Sequence, residues 1–259
     1  MNRKEDRIMS IYATDEQTIA ELVQRHRVLY DGPAIDTKLK TIIRDGSHTK
    51  LTSWDILRLL RTSRSVFFDT HVEVVSGHHT ANYLRFESIA RFRELIRLLA
   101  RDMAEWIGRT FQSEPITGIV ATTSAAEVLA EGIADALSDT MRLRVTLTPY
   151  SCETGRIGTD IAIGTINPGE RFVALNDVTT RGNCVSKLGK VITDNGGLLA
   201  GMMVFARRDS GQFPLMEELT ARYPFYFAAD LDMPQWEPAQ CPLCKNNRPL
   251  LSWRDMPEI

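Results

Sequence analysis

The residues best suited to chemistry lie at positions 171–184, RFVALNDVTTRGNC. A short apolar run ends on Asn176 and Asp177, then breaks into Thr180, Arg181, Gly182, Asn183 and Cys184. A carboxylate at a strand end can accept hydrogen bonds from vicinal hydroxyls. The backbone N–H groups of Thr180 to Cys184, opening a helix, can form an anion nest reinforced by the helix dipole. Gly182 permits close approach of a ligand to the backbone. Arg181 reads either as a phosphate ligand or as a surface Arg in a tolerant turn. Alone, a Gly-containing strand-to-helix turn proves little, because many α/β proteins use one merely to reverse the chain.

Four further groups have suitable chemistry. Thr122, Thr123, Ser124 and Ala125 stand between an apolar run and a helical pattern, where they can cap the helix, cradle an anion, or do both. Arg156 is the lone cation of TPYSCETGRIG, with Glu153 opposing it. His78 and His79 are candidates for a site or plain surface residues, and a His of ordinary pKa, about 6.5, is mostly neutral at pH 7. Cys241 and Cys244 have the CxxC spacing of half a zinc site or a redox pair. Structural zinc takes four ligands, and no second CxxC or His pair follows. The alternatives are a packed knuckle in the tail or half of a site completed between subunits. Cys152 and Cys184 fall in loops at the proposed site and make unsuitable partners for them.

Elements that position these groups follow from periodicity. From Ser88, the residues Ile89, Phe92, Ile96, Leu99, Met103 and Ile107 step by three and four, which predicts one buried helical stripe with a solvated Arg- and Glu-bearing outer face. Next come a strand at Ile116 to Ala121, a helix at Ala125 to Asp139 with Val128, Leu129, Ile133 and Leu137 inward, and a strand at Leu143 to Thr148. After a loop at 149–159 the pattern gives a strand at Phe172 to Leu175, a helix from about Val185 to Asp194 and a strand at Leu198 to Ala206. Alternating strands and helices predict an α/β fold, a mostly parallel sheet covered by helices on both faces. Ligands in such sheets bind beyond the carboxyl ends of the strands, so the loops at 122–125, 149–159 and 177–184 should share one edge. Residues 1–50, with an amphipathic helix at about Asp15 to Tyr30, read as a helical extension. Residues 51–213 read as the core, and 214–259 as a tail or hood rich in Pro and aromatics.

With 259 residues and 43% hydrophobic content, the chain can bury a large core. Its net charge of −2 supplies no global field for nucleic acid or an anionic membrane, so any anion must be held locally. No apolar run approaches the ~20 residues that span a bilayer, and the start MNRKEDRIMS has no signal-peptide core, so a cytoplasmic location is expected.

The string from Phe172 to Cys184 resembles the 5-phosphoribosyl-1-pyrophosphate (PRPP) motif of the type I phosphoribosyltransferases, whose usual form has two acids and a Thr-Thr-Gly turn. Trp54 to Phe68, Ser76-Gly77-His78-His79-Thr80 with Tyr83, and Gly118 to Ala134 are similar to successive segments of the orotate phosphoribosyltransferases. The tail around Cys241-Pro-Leu-Cys244-Lys245 is similar to that of some members. The likeness covers about residues 52–250. It implies that Asn176 and Asp177 hold the ribose hydroxyls, that Thr180 to Cys184 hold the 5-phosphate, and that Thr122 to Ala125 form a pyrophosphate loop. It also implies Mg²⁺ with PRPP, and a homodimer.

Three departures touch charge. The flexible loop carries only Arg156 where the family has several cations, His78 stands where Lys is usual, and Asn176 replaces an acid. Transfer through an oxocarbenium-like ribose relies on electrostatic stabilisation, and each lost contact typically costs on the order of 10²-fold in rate. Two functions are therefore expected. One is a transferase or cleaving enzyme acting at ribose C1 of a pyrimidine-type or other nucleobase, with Asp177, Arg156 and His78 as catalytic candidates. The other is a catalytically weakened nucleotide sensor or effector subunit of a larger complex, such as an antiphage system, docking through the N-terminal extension.

Overall fold

The computed structural model describes residues 15–208 and 213–259. Helix Glu16–Asp31 opens on Asp15, whose side chain accepts from the Thr18 N–H, and helix Ala34–Ile42 leads into β1 (Ile43–Ser47). Helix Ser53–Ser63 starts on a capping box in which Thr52 and Asp55 satisfy each other's backbone N–H groups. Four short strands follow: β2 (Val66–Phe67), β3 (Val72–Glu73), β4 (His79–Thr80) and β5 (Tyr83–Leu84). After helices Phe86–Ala90 and Arg93–Thr110 come β6 (Gly118–Thr122), helix Ala125–Leu137, β7 (Arg144–Thr148), β8 (Tyr150–Ser151) and β9 (Arg156–Ile157). Then β10 (Arg171–Thr179), helix Asn183–Asp194, β11 (Leu198–Arg208), helix Pro214–Arg222 and β12 (Phe225–Leu231) complete the central layer. The tail adds β13 (Gln235–Trp236), helix Pro242–Lys245 and β14 (Leu251–Ser252).

The central sheet has the order β1-β12-β11-β10-β6-β7, parallel throughout except for β1, which pairs antiparallel with β12. Strand β10 is buried on both faces, so its apolar run is continuous rather than alternating. Val173 and Leu175 enter one core with Leu99, Met103, Leu129 and Ile133; Phe172 and Ala174 enter a second with Val185 and Leu188. The sequence-based α/β architecture, helices on both faces of a largely parallel sheet, is the one observed.

Three expectations change. Phe92 belongs to no helical stripe: the helix breaks at Arg91 and Phe92 becomes the N-cap of Arg93–Thr110, 38% exposed. Val128 faces outward at 42% exposure, because helix Ala125–Leu137 buries Ala126, Leu129, Ala130 and Ile133 instead. Lastly, β1 and β12 are strands of the central sheet, so it draws on residues before 51 and after 213.

A second, four-stranded sheet of order β13-β4-β3-β14 joins the segment at 72–80 to the tail. None of the described helices is long and apolar enough to cross a membrane.

Candidate functional site

The chain runs from β6 outward to β7 and then returns to place β10 on the other side of β6. Such a switch point leaves a crevice above the carboxyl ends of the two strands. There a cleft of about 590 Å³ opens, floored by Asn176 to Thr180 and lined by Ser124 from the β6 loop. Its roof is the β8–β9 hairpin, and its far wall comes from Ser76, Tyr83 and Glu87 on one side and Gln235, Trp253 and Arg254 of the tail on the other.

Asp177 is the chemically distinctive group on this floor. Burial first, and then the neighbouring Glu87 carboxylate, push its pKa up to about 6, against the opposing effects of the Val178 N–H bond and of Arg208. Its Oδ1 accepts from the Val178 N–H at 2.7 Å, which fixes the carboxyl against the strand end. Asn176 is buried and spends its amide donor on the Val178 carbonyl at 3.0 Å, bracing the strand end.

The turn that follows has the shape its sequence promises. Gly182 adopts φ 85°, a left-handed conformation open to Gly at low cost, and its N–H bonds Thr179 Oγ1 at 3.2 Å. A Cβ there would also press on Leu219 and Met216, at 3.2 and 3.3 Å. Helix Asn183–Asp194 begins at once, so its N-terminus borders the cleft. Thr180, Arg181, Asn183 and Cys184 line the cleft, while Gly182 lies behind it against helix Pro214–Arg222. The Arg181 guanidinium lies over the Phe213 ring at 5.1 Å, and its Nε is buried with no hydrogen-bond partner. Burial pushes the Cys184 thiol up to about 11, so it is a packed thiol and not a nucleophile at neutral pH.

In the loop after β6, Ser124 caps helix Ala125–Leu137 by accepting from the Ala126 N–H, and it shares a 2.7 Å hydrogen bond with Thr122 Oγ1. Thr123 Oγ1 accepts from the Tyr150 N–H at 2.9 Å and so anchors the roof hairpin. Arg156 lines the cleft from β9. The hairpin tip is docked, because a Cβ on Gly155 would lie 2.6 Å from Val75 and 3.2 Å from Trp253.

Two sequence expectations are redirected by the structure. His78 is absent from the cleft lining: it follows a turn at Gly77 (φ 79°), and its Nε2 meets Glu237 Oε1 at 2.6 Å. It pairs with the tail and does not face the ligand space. Cys241 and Cys244 do converge with two imidazoles, but these are His71 and His79, which precede them in the sequence. His79 is accordingly buried, not a surface residue.

Other residues of the cleft are not apparent from the motif. Lys187 lies one helical turn beyond Asn183, Arg208 ends β11, and Arg254 arrives from the tail. The sheet rule that strand carboxyl ends line the crevice would have found Arg208; no local signal marks Arg254. With Arg156 and Arg181 these give five basic side chains against the carboxylates of Asp177 and Glu87 among the described lining residues. Tyr83 stands in the same wall, its hydroxyl pushed to about 12 by burial and by Glu87.

No family model matches the chain. It aligns over 197 residues with the orotate phosphoribosyltransferase of Thermus thermophilus at 28% identity, over 76% of this chain and 98% of that protein. The corresponding protein of Chlorobium phaeobacteroides is 23% identical over 192 residues, 73% of this chain and 89% of the relative. Among solved structures, orotate phosphoribosyltransferase of Mycobacterium tuberculosis superposes with a TM-score of 0.51 at 19% identity, over 67% of this chain and 94% of that one. The Aeropyrum pernix protein gives 0.50 at 17% identity, over 67% and 92%. These solved structures share the fold, and the sequence relatives span nearly the whole central region. In sequence the chain is similar to the orotate phosphoribosyltransferases, and its fold is that of the type I phosphoribosyltransferases.

Proposed function

We infer that the cleft binds the ribose 5-phosphate part of PRPP or of a nucleotide and that the protein transfers or cleaves at ribose C1, with a pyrimidine-type base as the partner. One observation carries this reading: Asp177 and the Thr180 to Cys184 turn share the floor of a roofed cleft at the switch point of the sheet. The N-terminus of a twelve-residue helix beside that turn favours a bound phosphate through its unpaired N–H groups and its dipole. Ionised Asp177 would accept from a ribose hydroxyl and stabilise positive charge developing on the sugar. Lys187, Arg208 and Arg254 supply cations the β8–β9 hairpin lacks, which offsets much of the charge deficit read from the sequence.

Mg²⁺ fits this lining. The Glu87 carboxylate adds to the cost of ionising Asp177, which a divalent cation carried on substrate phosphates would relieve. When bound, Mg²⁺ would neutralise charge on the departing pyrophosphate. The proposal includes a homodimer, measurable by light scattering.

A second reading, a nucleotide sensor with little turnover, is favoured by Asn176. It replaces an acid, and its amide is engaged with the backbone of its own strand end. Titration calorimetry with PRPP and with nucleoside monophosphates, with and without Mg²⁺, alongside pyrophosphate release in the presence of orotate, separates the two. Release that disappears in Asp177→Asn supports the transferase, and tight binding without release supports the sensor. Failure to bind any phosphoribosyl ligand would overturn both.

A further inference from the structure

Away from the cleft, two cysteines of the tail meet two histidines of the small sheet. His71, His79, Cys241 and Cys244 place one ligand atom each within 4.8 Å of all the others. His71 Nε2 lies 3.1 Å from His79 Nδ1, 3.5 Å from Cys241 Sγ and 3.6 Å from Cys244 Sγ; His79 Nδ1 lies 3.2 Å from Cys244 Sγ. A regular tetrahedron around zinc, with Zn–N of about 2.0–2.1 Å and Zn–S of about 2.3 Å, has edges of about 3.3 Å between nitrogens and about 3.6 Å between nitrogen and sulfur. These four separations match the edges of a tetrahedron of the size zinc requires, and the remaining two pairs lie within 4.8 Å.

The surroundings of the imidazoles fit the same role. His71 Nδ1 is 2.9 Å from the Arg248 carbonyl oxygen, which can only accept. The proton must sit on Nδ1, and Nε2 is left with its lone pair facing the cluster. His79 Nε2 lies 3.8 Å from Glu73 Oε2, so the outer nitrogen faces a carboxylate and Nδ1 faces inward. A ligating imidazole whose other nitrogen meets a carbonyl or carboxylate is the usual outer arrangement of zinc sites. Cys241 is fully buried and His71 and His79 nearly so. All four positions are taken by protein atoms, as in a structural site and unlike a catalytic one.

We propose that this chain carries a structural Cys₂His₂ zinc site formed by His71, His79, Cys241 and Cys244, which clamps the C-terminal tail to the small sheet. On binding, each thiol releases its proton to solvent as its sulfur takes the metal, and the imidazoles bind neutral. The clamp has a clear mechanical purpose. His71 immediately precedes β3, His79 opens β4, and the cysteines lie between β13 and β14, so one ion crosslinks the segments that build the four-stranded sheet. Short strands of two residues supply few hydrogen bonds, and a metal replaces the core such a sheet is too small to bury. The site stands apart from the ribose-phosphate reading and survives its failure.

The test uses the full chain, purified without chelator or polyhistidine tag. Elemental analysis should find one zinc per chain, and Co²⁺ exchanged into the site should show tetrahedral visible bands with thiolate charge transfer. Cys241→Ser and His71→Ala should each lose the metal and both spectral features. His71→Cys should retain zinc by offering a thiolate at the same corner. Cys152→Ser, at an exposed cysteine outside the cluster, should keep the full metal content. If the ligand variants do not fold, the wild-type measurements decide alone. A wild-type chain that neither contains nor takes up zinc, a cobalt spectrum without thiolate charge transfer, or folded ligand variants with undiminished zinc would overturn the proposal.

Discussion

At the scale of single residues, Asp177 decides the pH behaviour of the cleft. Its pKa, raised to about 6 from 3.8, means that the folded protein disfavours the ionised form. The apo protein therefore loses stability as pH rises from about 4 through about 6, and a bound cation restores it. On the proposed function ligand binding has the opposite slope, because hydroxyl recognition would use the carboxylate: affinity for PRPP with Mg²⁺ should fall as pH is lowered below about 6, read by calorimetry across pH 5–8. Asp177→Asn should flatten that profile and reduce turnover by on the order of 10²-fold or more. Arg208→Ala, removing a cation facing Asp177, should weaken binding of the most highly charged ligand most, with a smaller effect on nucleoside monophosphates.

At the scale of elements, the β8–β9 hairpin is held over the cleft by small contacts that a single side chain would disrupt. Gly155→Val places two methyl groups where Val75 already lies within 2.6 Å of a Cβ, and it forces a β-branched residue to φ 66°. The hairpin should detach, raising KM for the phosphoribosyl ligand while leaving the melting temperature nearly unchanged. Helix Glu16–Asp31 carries a different liability. Buried His26 stacks on Phe67 at 4.3 Å, both its ring nitrogens lack partners, and burial lowers its pKa to about 4. A histidine with a depressed pKa stabilises the fold above its unfolded value, about 6.5, and loses that contribution as pH falls towards about 4. His26→Phe should remove this acid sensitivity, seen as a flatter denaturation midpoint between pH 4 and 7. Asp102 illustrates a polar core done fully: its carboxylate accepts from Thr49 Oγ1 at 2.6 Å, the Lys50 N–H at 2.9 Å and the Tyr226 hydroxyl at 2.5 Å. Asp102→Ala strands several donors and should cost at least about 2 kcal/mol in urea unfolding.

At the scale of the whole molecule, the cleft depends on segments far apart in sequence. Arg254 Nε donates to the Glu153 carbonyl at 2.5 Å, joining the tail to the roof hairpin, while Gln235 Nε2 reaches Thr180 Oγ1 at 3.4 Å. Stripping zinc should therefore raise hydrogen exchange around residues 235–256 first and weaken ligand binding second, with the central sheet unaffected. Much of the architecture was legible because it repeats a local rule. Continuous apolar runs mark parallel strands, the Ala125 helix follows its cap, and the Asp177 to Cys184 turn announces itself through Gly182. Val128 was misplaced because periodicity gives a face and only packing says which residue at its edge is covered, whereas Phe92 was misplaced because the apolar spacing runs unbroken through the helix break at Arg91.

Local sequence determined the strand, turn and helix proposed to hold a phosphate, because that turn is built by residues within a few positions of one another. The likeness of that turn to a phosphoribosyltransferase motif was equally local. Tertiary structure alone decided the charge of the cleft and the company of the two cysteines. Lys187, Arg208 and Arg254 line one cleft with Asp177 only after a helix, a neighbouring strand of the sheet and the tail are brought together around it. Likewise His71 and His79 reach Cys241 and Cys244 only across the pairings of β3, β4, β13 and β14. Side chains about 170 positions apart carry no spacing rule, and their encounter is set by the order in which strands pair.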